Sequence, residues 1–412
     1  MRFSAGYDKQ RDSNPIRGEV TMRDKVIIGA ARTPVGSFLG SLSTVPATRL
    51  GAIAIEEAIK RAGINKEIVD EVIMGCVLPA AQGQAPARQA AIAAGIPPTT
   101  GAMTINKVCG SGMKSVMLAS QAIATGDSEL VVAGGMESMS LGPYLLRRAR
   151  TGYRMGNDTI EDGMIKDGLW DPYENAHMGT FADLCAREKG FSREEQDAFA
   201  VESYKRSLKA QQDGEFAEEI VPVPVPQRKG KELLVDKDEE PGRVNFDKMP
   251  SLKPAFGKEG TVTAANASSI NDGAGAVVVT TPEKAKELGV SPLCKIVGYA
   301  QASIEPRWFT LAPIQAVKKV FEKTGLKQDD IDIFEINEAF AVVTLAAIKE
   351  FGLDAARVNV NGGAVSLGHP IGASGARILV TLLYAMKKRD AKRGLATLCI
   401  GGGEAVAMIV ER

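Results

Sequence analysis

The stretch Leu130-Val-Val-Ala-Gly-Gly-Met-Glu137 decides how the chain is read, because it returns near the far end as Ala396-Thr-Leu-Cys-Ile-Gly-Gly-Gly-Glu404. Each copy is an uninterrupted aliphatic run that ends in glycines and a glutamate. A short apolar run bounded by glycine reads as a strand buried on both faces. Two such strands with the same ending point to a duplicated α/β unit of about 120 residues. One copy carries a cysteine, Cys399, that the other lacks.

Upstream of the first copy, aliphatic runs alternate with amphipathic stretches. Val26–Ile28 precedes Leu50, Ile53, Ala54, Ala58 and Ile59 on one helical face. Val72–Leu78 precedes a helix around Ala87–Ala94. Met103, Ile105 and Val108 lead into Met113, Val116, Met117, Ser120 and Ile123 at helical spacing. The second half follows the same plan: Ile296–Tyr299, a helix from Pro313 to Thr324, Ile331–Phe334, a helix after Asn337, Val358–Val360, a glycine-rich turn and a helix through Ile378, Leu379, Leu382, Leu383 and Met386. This alternation predicts a mostly parallel sheet covered by helices.

Between the halves the texture changes. Arg147, Arg148, Arg150 and Arg154 arrive among Gly, Asp and Met, and the aliphatic strands stop. Within this largely helical and irregular insertion, Ser192-Arg-Glu-Glu195 predicts a capping box on a helix running to about Gln212. Val221-Pro-Val-Pro-Val-Pro226 reads as an extended edge or connector, since proline lacks the ladder donor. The expected division is an extension at 1–21, an N-terminal half at 22–140, an inserted domain at 141–268, completion of the first half at 269–290 and a C-terminal half at 291–412. Residues 1–21 mix both charge signs without an apolar core and are expected to be disordered.

Lys plus Arg and Asp plus Glu each number 50, so the formal net charge is zero and no nucleic-acid or membrane-surface binding is suggested. No apolar stretch approaches the roughly 20 residues that span a bilayer. The five cysteines, Cys76, Cys109, Cys185, Cys294 and Cys399, are odd in number and form no Cys-x-x-Cys pair. That pattern fits a reducing compartment, the cytoplasm, rather than a disulfide framework or a zinc site.

Four residues stand out for chemistry. Cys109, in Asn106-Lys-Val-Cys-Gly-Ser-Gly112, falls at a strand-to-helix turn, where unpaired N–H groups and the helix dipole favour a thiolate. A buried, inert cysteine is the alternative. The chain has only two histidines, and one of them, His369, lies in Asn361-Gly-Gly-Ala-Val-Ser-Leu-Gly-His-Pro-Ile-Gly-Ala-Ser-Gly375, whose glycines allow close approach by another group. Cys399 alone reads as a core cysteine. Asn337 alone reads as a helix N-cap.

Together, Cys109, Asn337, His369 and Cys399 with their flanks resemble the thiolase family, on its acetyl-CoA acetyltransferase side. The resemblance covers residues 24–411 through Ala31–Pro34, Asn106–Gly112, Ala133–Met139, His177–Gly179, Asn266–Ser268, Asn337–Phe340, Asn361–Gly375 and Cys399–Gly403. It implies a duplicated five-layered α-β-α-β-α fold with an inserted loop domain that holds coenzyme A, and a homotetramer or homodimer. The implied activity is the reversible, ping-pong condensation of two acetyl-CoA to acetoacetyl-CoA and CoA.

In that mechanism Cys109 is the acylated nucleophile and His369 its base, suited by an imidazole that is neutral and charged in accessible proportions near neutral pH. Cys399 moves the α-proton. The enolate meets His369 and a water held by Asn337, and the thioester oxyanion meets the N–H groups of Cys109 and Gly401. No cofactor or metal is implied. Matching the family's contacts places Leu169, His177, Met178, Phe256, Ala264, Ser268, Ala339 and Phe340 around the substrate, with Arg243, beside Lys248 or Lys253, as a candidate for the adenosine phosphates. Phe309 stands at the acyl end, where biosynthetic relatives commonly have methionine. Two alternatives are a 3-ketoacyl-CoA thiolase for longer chains and a non-catalytic acyl-CoA or lipid-binding protein of the same fold. Ketosynthases share the fold but usually lack the second cysteine.

Overall fold

The computed structural model describes residues 23–412, so the expected extension at 1–21 lies outside the described residues. The first half supplies β1 (Val26–Arg32), β2 (Glu71–Gly75), β3 (Gly101–Ile105), β4 (Leu130–Ser138) and β5 (Asn271–Thr280). The second supplies β6 (Cys294–Ser303), β7 (Ile333–Ile336), β8 (Arg393–Ile400) and β9 (Glu404–Glu411). Across the first sheet the order is β3-β2-β4-β5-β1. Across the second it is β7-β8-β9-β6, with Val358 bridging Phe334 in the place of a further strand beyond β7. Both halves therefore run third, second, fourth, fifth, first. They meet where Val26 and Ile27 pair with Lys295 and Cys294.

The sheets are mixed rather than mostly parallel. β2 runs parallel to β3 and β4, and β7 to β8, but β5 and β9 run antiparallel to both their neighbours. Strands buried on both faces give the same unbroken aliphatic runs in either direction, so hydropathy does not carry the polarity.

Helices α1 (Ala47–Ala62), α2 (Pro86–Ala93), α3 (Ser111–Thr125), α4 (Met178–Lys189), α5 (Arg193–Gln212), α6 (Ala312–Thr324), α7 (Ala341–Phe351) and α8 (Ile371–Lys388) complete the framework. Strand alternation sorts side chains into layers. Leu130 and Val132 of β4 pack with α1 and α2, whereas Val131 and Ala133 face α3 and α8. Ala396 and Leu398 of β8 face the same two helices from the other side, and Leu395 and Cys399 face α6 and α7. The result is five layers, with α3 and α8 sandwiched between the sheets. Each of these two helices opens two residues after a residue singled out in the sequence, Cys109 or His369.

The insertion holds α4 and α5. Ser192 accepts from the Glu195 N–H at 3.1 Å and Glu195 accepts from the Ser192 N–H at 2.7 Å, the expected capping box. Val223–Pro226 pairs antiparallel with Glu232–Val235 and buries Val223 and Val225. Arg32 at the end of β1 ties the insertion down, with fully buried ion pairs to Glu219 at 2.6 Å and Asp238 at 2.7 Å. Among the described residues, no helix is long and apolar enough to cross a membrane.

Candidate active site

A narrow, mainly apolar cavity of about 200 Å³ lies where the two halves and the insertion meet. Cys109, His369, Cys399 and Gly401 are among the residues that line it. Of the other residues expected around substrate, Leu169, His177, Met178, Phe256, Ser268, Phe309, Ala339 and Phe340 also line it. Three expected residues do not. Ala264 is exposed outside the lining. Arg243 is exposed and pairs with Glu239 at 3.3 Å. Asn337 sits one layer behind, its amide nitrogen 3.4 Å from Nδ1 of His369. It is not a helix cap, since α7 opens only at Ala341 with Phe340 before it.

Cys109 follows β3 and precedes α3 by two residues. Val108 before it has φ of +45°, a strained value for a β-branched residue that turns the chain so sharply that the thiol faces the cavity. The turn is held by the Asn106 side chain, which accepts from the Val108 N–H at 2.9 Å, and by the Ser111 hydroxyl, which accepts from the Lys107 N–H at 2.8 Å. Ile400 packs closely on Gly110, where a Cβ would stand 2.3 Å from its Cδ1.

The electrostatics depart from the sequence expectation. Burial pushes the Cys109 thiol up to about 11; the N–H groups of Gly401 and of Cys109 itself, both facing the sulfur, only partly offset this, and the Glu137 carboxylate adds to it. Desolvation thus outweighs the helix terminus, and Cys109 rests as a thiol rather than a thiolate. Burial, reinforced by Cys109 alongside, also raises Cys399 well above the usual thiol range.

Burial, with the Arg377 charge second, lowers His369 to about 3. The imidazole is therefore held neutral, not divided between forms near neutral pH. Nδ1 of His369 lies 2.6 Å from the Ser374 hydroxyl, itself 2.9 Å from the Pro370 carbonyl, and 3.4 Å from the Asn337 amide nitrogen. The other ring nitrogen, Nε2, has no hydrogen-bond partner among the described residues. A neutral base with a free lone pair is the form that can take a thiol proton.

Several participants carried no individual sequence signal. Met139, Ile270 and Ile371 complete the apolar wall. Glu137, fully buried, accepts from the N–H groups of Val77, Leu78 and Gly372 at 3.0, 3.2 and 2.9 Å, fastening the loop after β2 to the start of α8. Burial raises its carboxyl to about 7, against the pull of those three N–H groups. The glutamate closing the repeated motif was the available clue to it.

The duplicated layers and a cysteine at each half's contribution to one cavity define a thiolase. Residues 25–283 match the N-terminal thiolase domain and residues 290–412 the C-terminal thiolase domain, and the chain belongs to the thiolase family. It is 56% identical over 392 residues to an acetyl-CoA acetyltransferase of Cupriavidus necator, covering 95% of this chain and all of that one. It is 53% identical to acetyl-CoA acetyltransferase 2 of Arabidopsis thaliana, covering 95% of this chain and 98% of that one. The crystal structure of the Bacillus anthracis acetyl-CoA acetyltransferase superposes with a TM-score of 0.93 at 43% identity, covering 95% of this chain and 100% of that chain.

Proposed function

We propose that the protein is an acetyl-CoA C-acetyltransferase, joining two acetyl-CoA into acetoacetyl-CoA and CoA and catalysing the reverse thiolysis. The observation that carries this reading is that Cys109, Cys399 and His369, whose Nε2 has no partner among the described residues, line one cavity. In the first half-reaction Nε2 takes the Cys109 proton as sulfur attacks the thioester carbonyl. The oxygen that gains charge is met by the Cys109 and Gly401 N–H groups, already aimed at this point. CoA leaves as its thiol, taking the proton from His369, and the acetyl group stays on Cys109.

In the second half-reaction Cys399 gives its own proton to Nε2 of His369 and, as the thiolate, removes a methyl proton from a second acetyl-CoA. The enolate oxygen is held by the protonated His369 and by the amide of Asn337 through a water, and its carbon attacks the acetyl carbonyl on Cys109; the C–S bond breaks, acetoacetyl-CoA leaves, and the Cys109 sulfur takes the proton back from His369. Because Cys109, Cys399 and His369 are themselves uncharged at rest, the charges that pass among them arise with substrate bound, where fixed dipoles act most strongly. No cofactor or metal takes part. Arg243 is a candidate for the CoA phosphates, since an exposed pair such as Arg243–Glu239 is worth at most about 1 kcal/mol and is readily exchanged.

Phe309, buried and edge-on to Phe340 with ring centroids 6.2 Å apart, closes the acyl end and favours a short chain over the longer ketoacyl substrates. Comparing thiolysis of acetoacetyl-CoA with that of a ketoacyl-CoA six to ten carbons longer tests this. Each accommodated CH₂ adds about 0.8 kcal/mol of binding where room exists, so a rate that rises with length refutes the acetyl preference. Five free cysteines support a reducing, cytoplasmic location. The edge strand β3, with Met103 40% exposed, supports assembly as a homodimer or homotetramer.

A further inference from the structure

The two N–H groups that face the Cys109 sulfur come from different halves of the duplication. Cys109 belongs to the turn after β3, and Gly401 to the turn between β8 and β9. Both turns are locally strained or permissive: Val108 has φ of +45°, and Gly402 and Gly403 have φ of +88° and +84°. The spacing of the two donors therefore depends on what joins the turns. On the core side that is the close packing of Ile400 against Gly110.

On the other side stands an ion pair. Nζ of Lys107, two residues before Cys109, lies 2.6 Å from Oε2 of Glu404, three residues after Gly401. Glu404 is no loose surface acid. Its backbone is in register with Ile400 on one side and Ser303 on the other, and its Oε1 accepts from the Ser303 hydroxyl at 3.1 Å. Lys107 is fixed at its backbone by the Ser111 hydroxyl. Both side chains are mostly covered, 18% and 34% exposed, and neither lines the cavity. Lys114 stands close to both and bonds Gln301 at 3.3 Å.

We propose that Lys107 and Glu404 are positioning residues that clasp the two halves of the molecule across the nucleophile and set the spacing of the Cys109 and Gly401 donors. The clasp rests on the reaction assigned above for its effect on turnover, but not for its effect on the thiol itself. An oxyanion hole loosened by a fraction of an ångström loses rate rather than substrate affinity, because the donors act where charge develops.

The test uses the full chain with Lys107→Gln, Glu404→Gln and the exchanged pair Lys107→Glu/Glu404→Lys. The first readout is the rate of Cys109 alkylation by iodoacetamide across pH, located by peptide mass spectrometry, which requires no acyl chemistry. Charge acting through space predicts opposite shifts, slower for Lys107→Gln and faster for Glu404→Gln. The clasp predicts that both single variants slow alkylation and that the exchanged pair recovers most of it. Opposite shifts, or an exchanged pair no better than the singles, overturn the proposal.

The second readout is the burst of CoA release from acetyl-CoA. The expected result is a loss of about tenfold in acylation rate for either single variant with KM within about twofold, restored in the exchanged pair. A raised KM at unchanged acylation rate assigns Lys107 to substrate phosphates and overturns the clasp. If the parent shows no acetyl-dependent burst, the proposed reaction fails, and the alkylation series still decides the clasp.

Discussion

Gly179 tests the wall of the cavity at a place where the structure sets the size of the effect. It is the second residue of α4, and a Cβ there would lie 2.1, 2.2 and 2.4 Å from Cε2, Cδ2 and Cζ of Phe256. Carbon atoms settle at about 3.5 to 4.0 Å, so in Gly179→Ala the ring moves by well over 1 Å. Phe256 is stacked on His177 with centroids 4.6 Å apart and an interplanar angle of 21°, and stands edge-on to Phe340 at 6.1 Å. All three rings line the cavity. Overpacking costs about 1 to 3 kcal/mol, offset by up to about 1 kcal/mol because alanine suits a helix better than glycine. Breaking the stack forfeits about 0.5 to 1.5 kcal/mol of wall, which corresponds to a rise of about two- to twelvefold in KM. Steady-state kinetics with acetoacetyl-CoA and CoA, together with a denaturant melt, measure both. Adding Phe256→Leu makes room for the new methyl and should restore stability to within about 1 kcal/mol of the single Phe256→Leu chain. A Gly179→Ala protein with parental KM and stability, or no relief from Phe256→Leu, refutes the packing argument.

Other outcomes follow from the same geometry. His369→Ala removes base and enolate donor together and should lower turnover at least about 100-fold, whereas His177→Ala, part of the wall, should act mainly on KM; kinetics showing only affinity loss in both contradict the roles given. Since burial holds the Cys109 thiol at about 11, alkylation of the free enzyme should climb steadily from pH 7 to 9.5, and a plateau across that range would reveal a resting thiolate that the structure does not contain. His369, held near 3, is neutral throughout the range above that value, so the acylation burst should be flat between pH 5.5 and 7; a halving near pH 6.5 would show an ordinary imidazole.

Much of this was legible in the sequence, for reasons that differ by feature. The duplicated strands were readable because glycine-bounded aliphatic runs survive in both copies, and helix limits such as Arg193–Gln212 because a capping box is local chemistry. Strand direction was not, because β5 and β9 are buried on both faces and read the same either way. The reactive residues emerged as a set, not singly: Asn337 resembles an N-cap until the fold brings it within 3.4 Å of His369. The protonation states were misread for one physical reason. A helix terminus and a histidine's ordinary pKa are visible in sequence, but the desolvation that overrides both depends on the five-layered packing around the cavity. Glu137 escaped notice because its partners are backbone N–H groups from two distant segments.

The division of labour between the two cysteines is the centre of the account, and Cys399→Ser tests it most directly. The hydroxyl keeps approximate size but scarcely ionises near neutral pH, while Cys109, His369 and the Gly401 N–H are untouched. Exposed briefly to acetyl-CoA, the variant should show an acetyl group on Cys109 by peptide mass spectrometry and should accumulate it, while condensation and hydrogen exchange at the acetyl-CoA methyl disappear. A folded Cys399→Ser chain that fails to acetylate Cys109, or that exchanges the methyl hydrogens at a near-parental rate, would contradict the account and leave Cys399 a core cysteine.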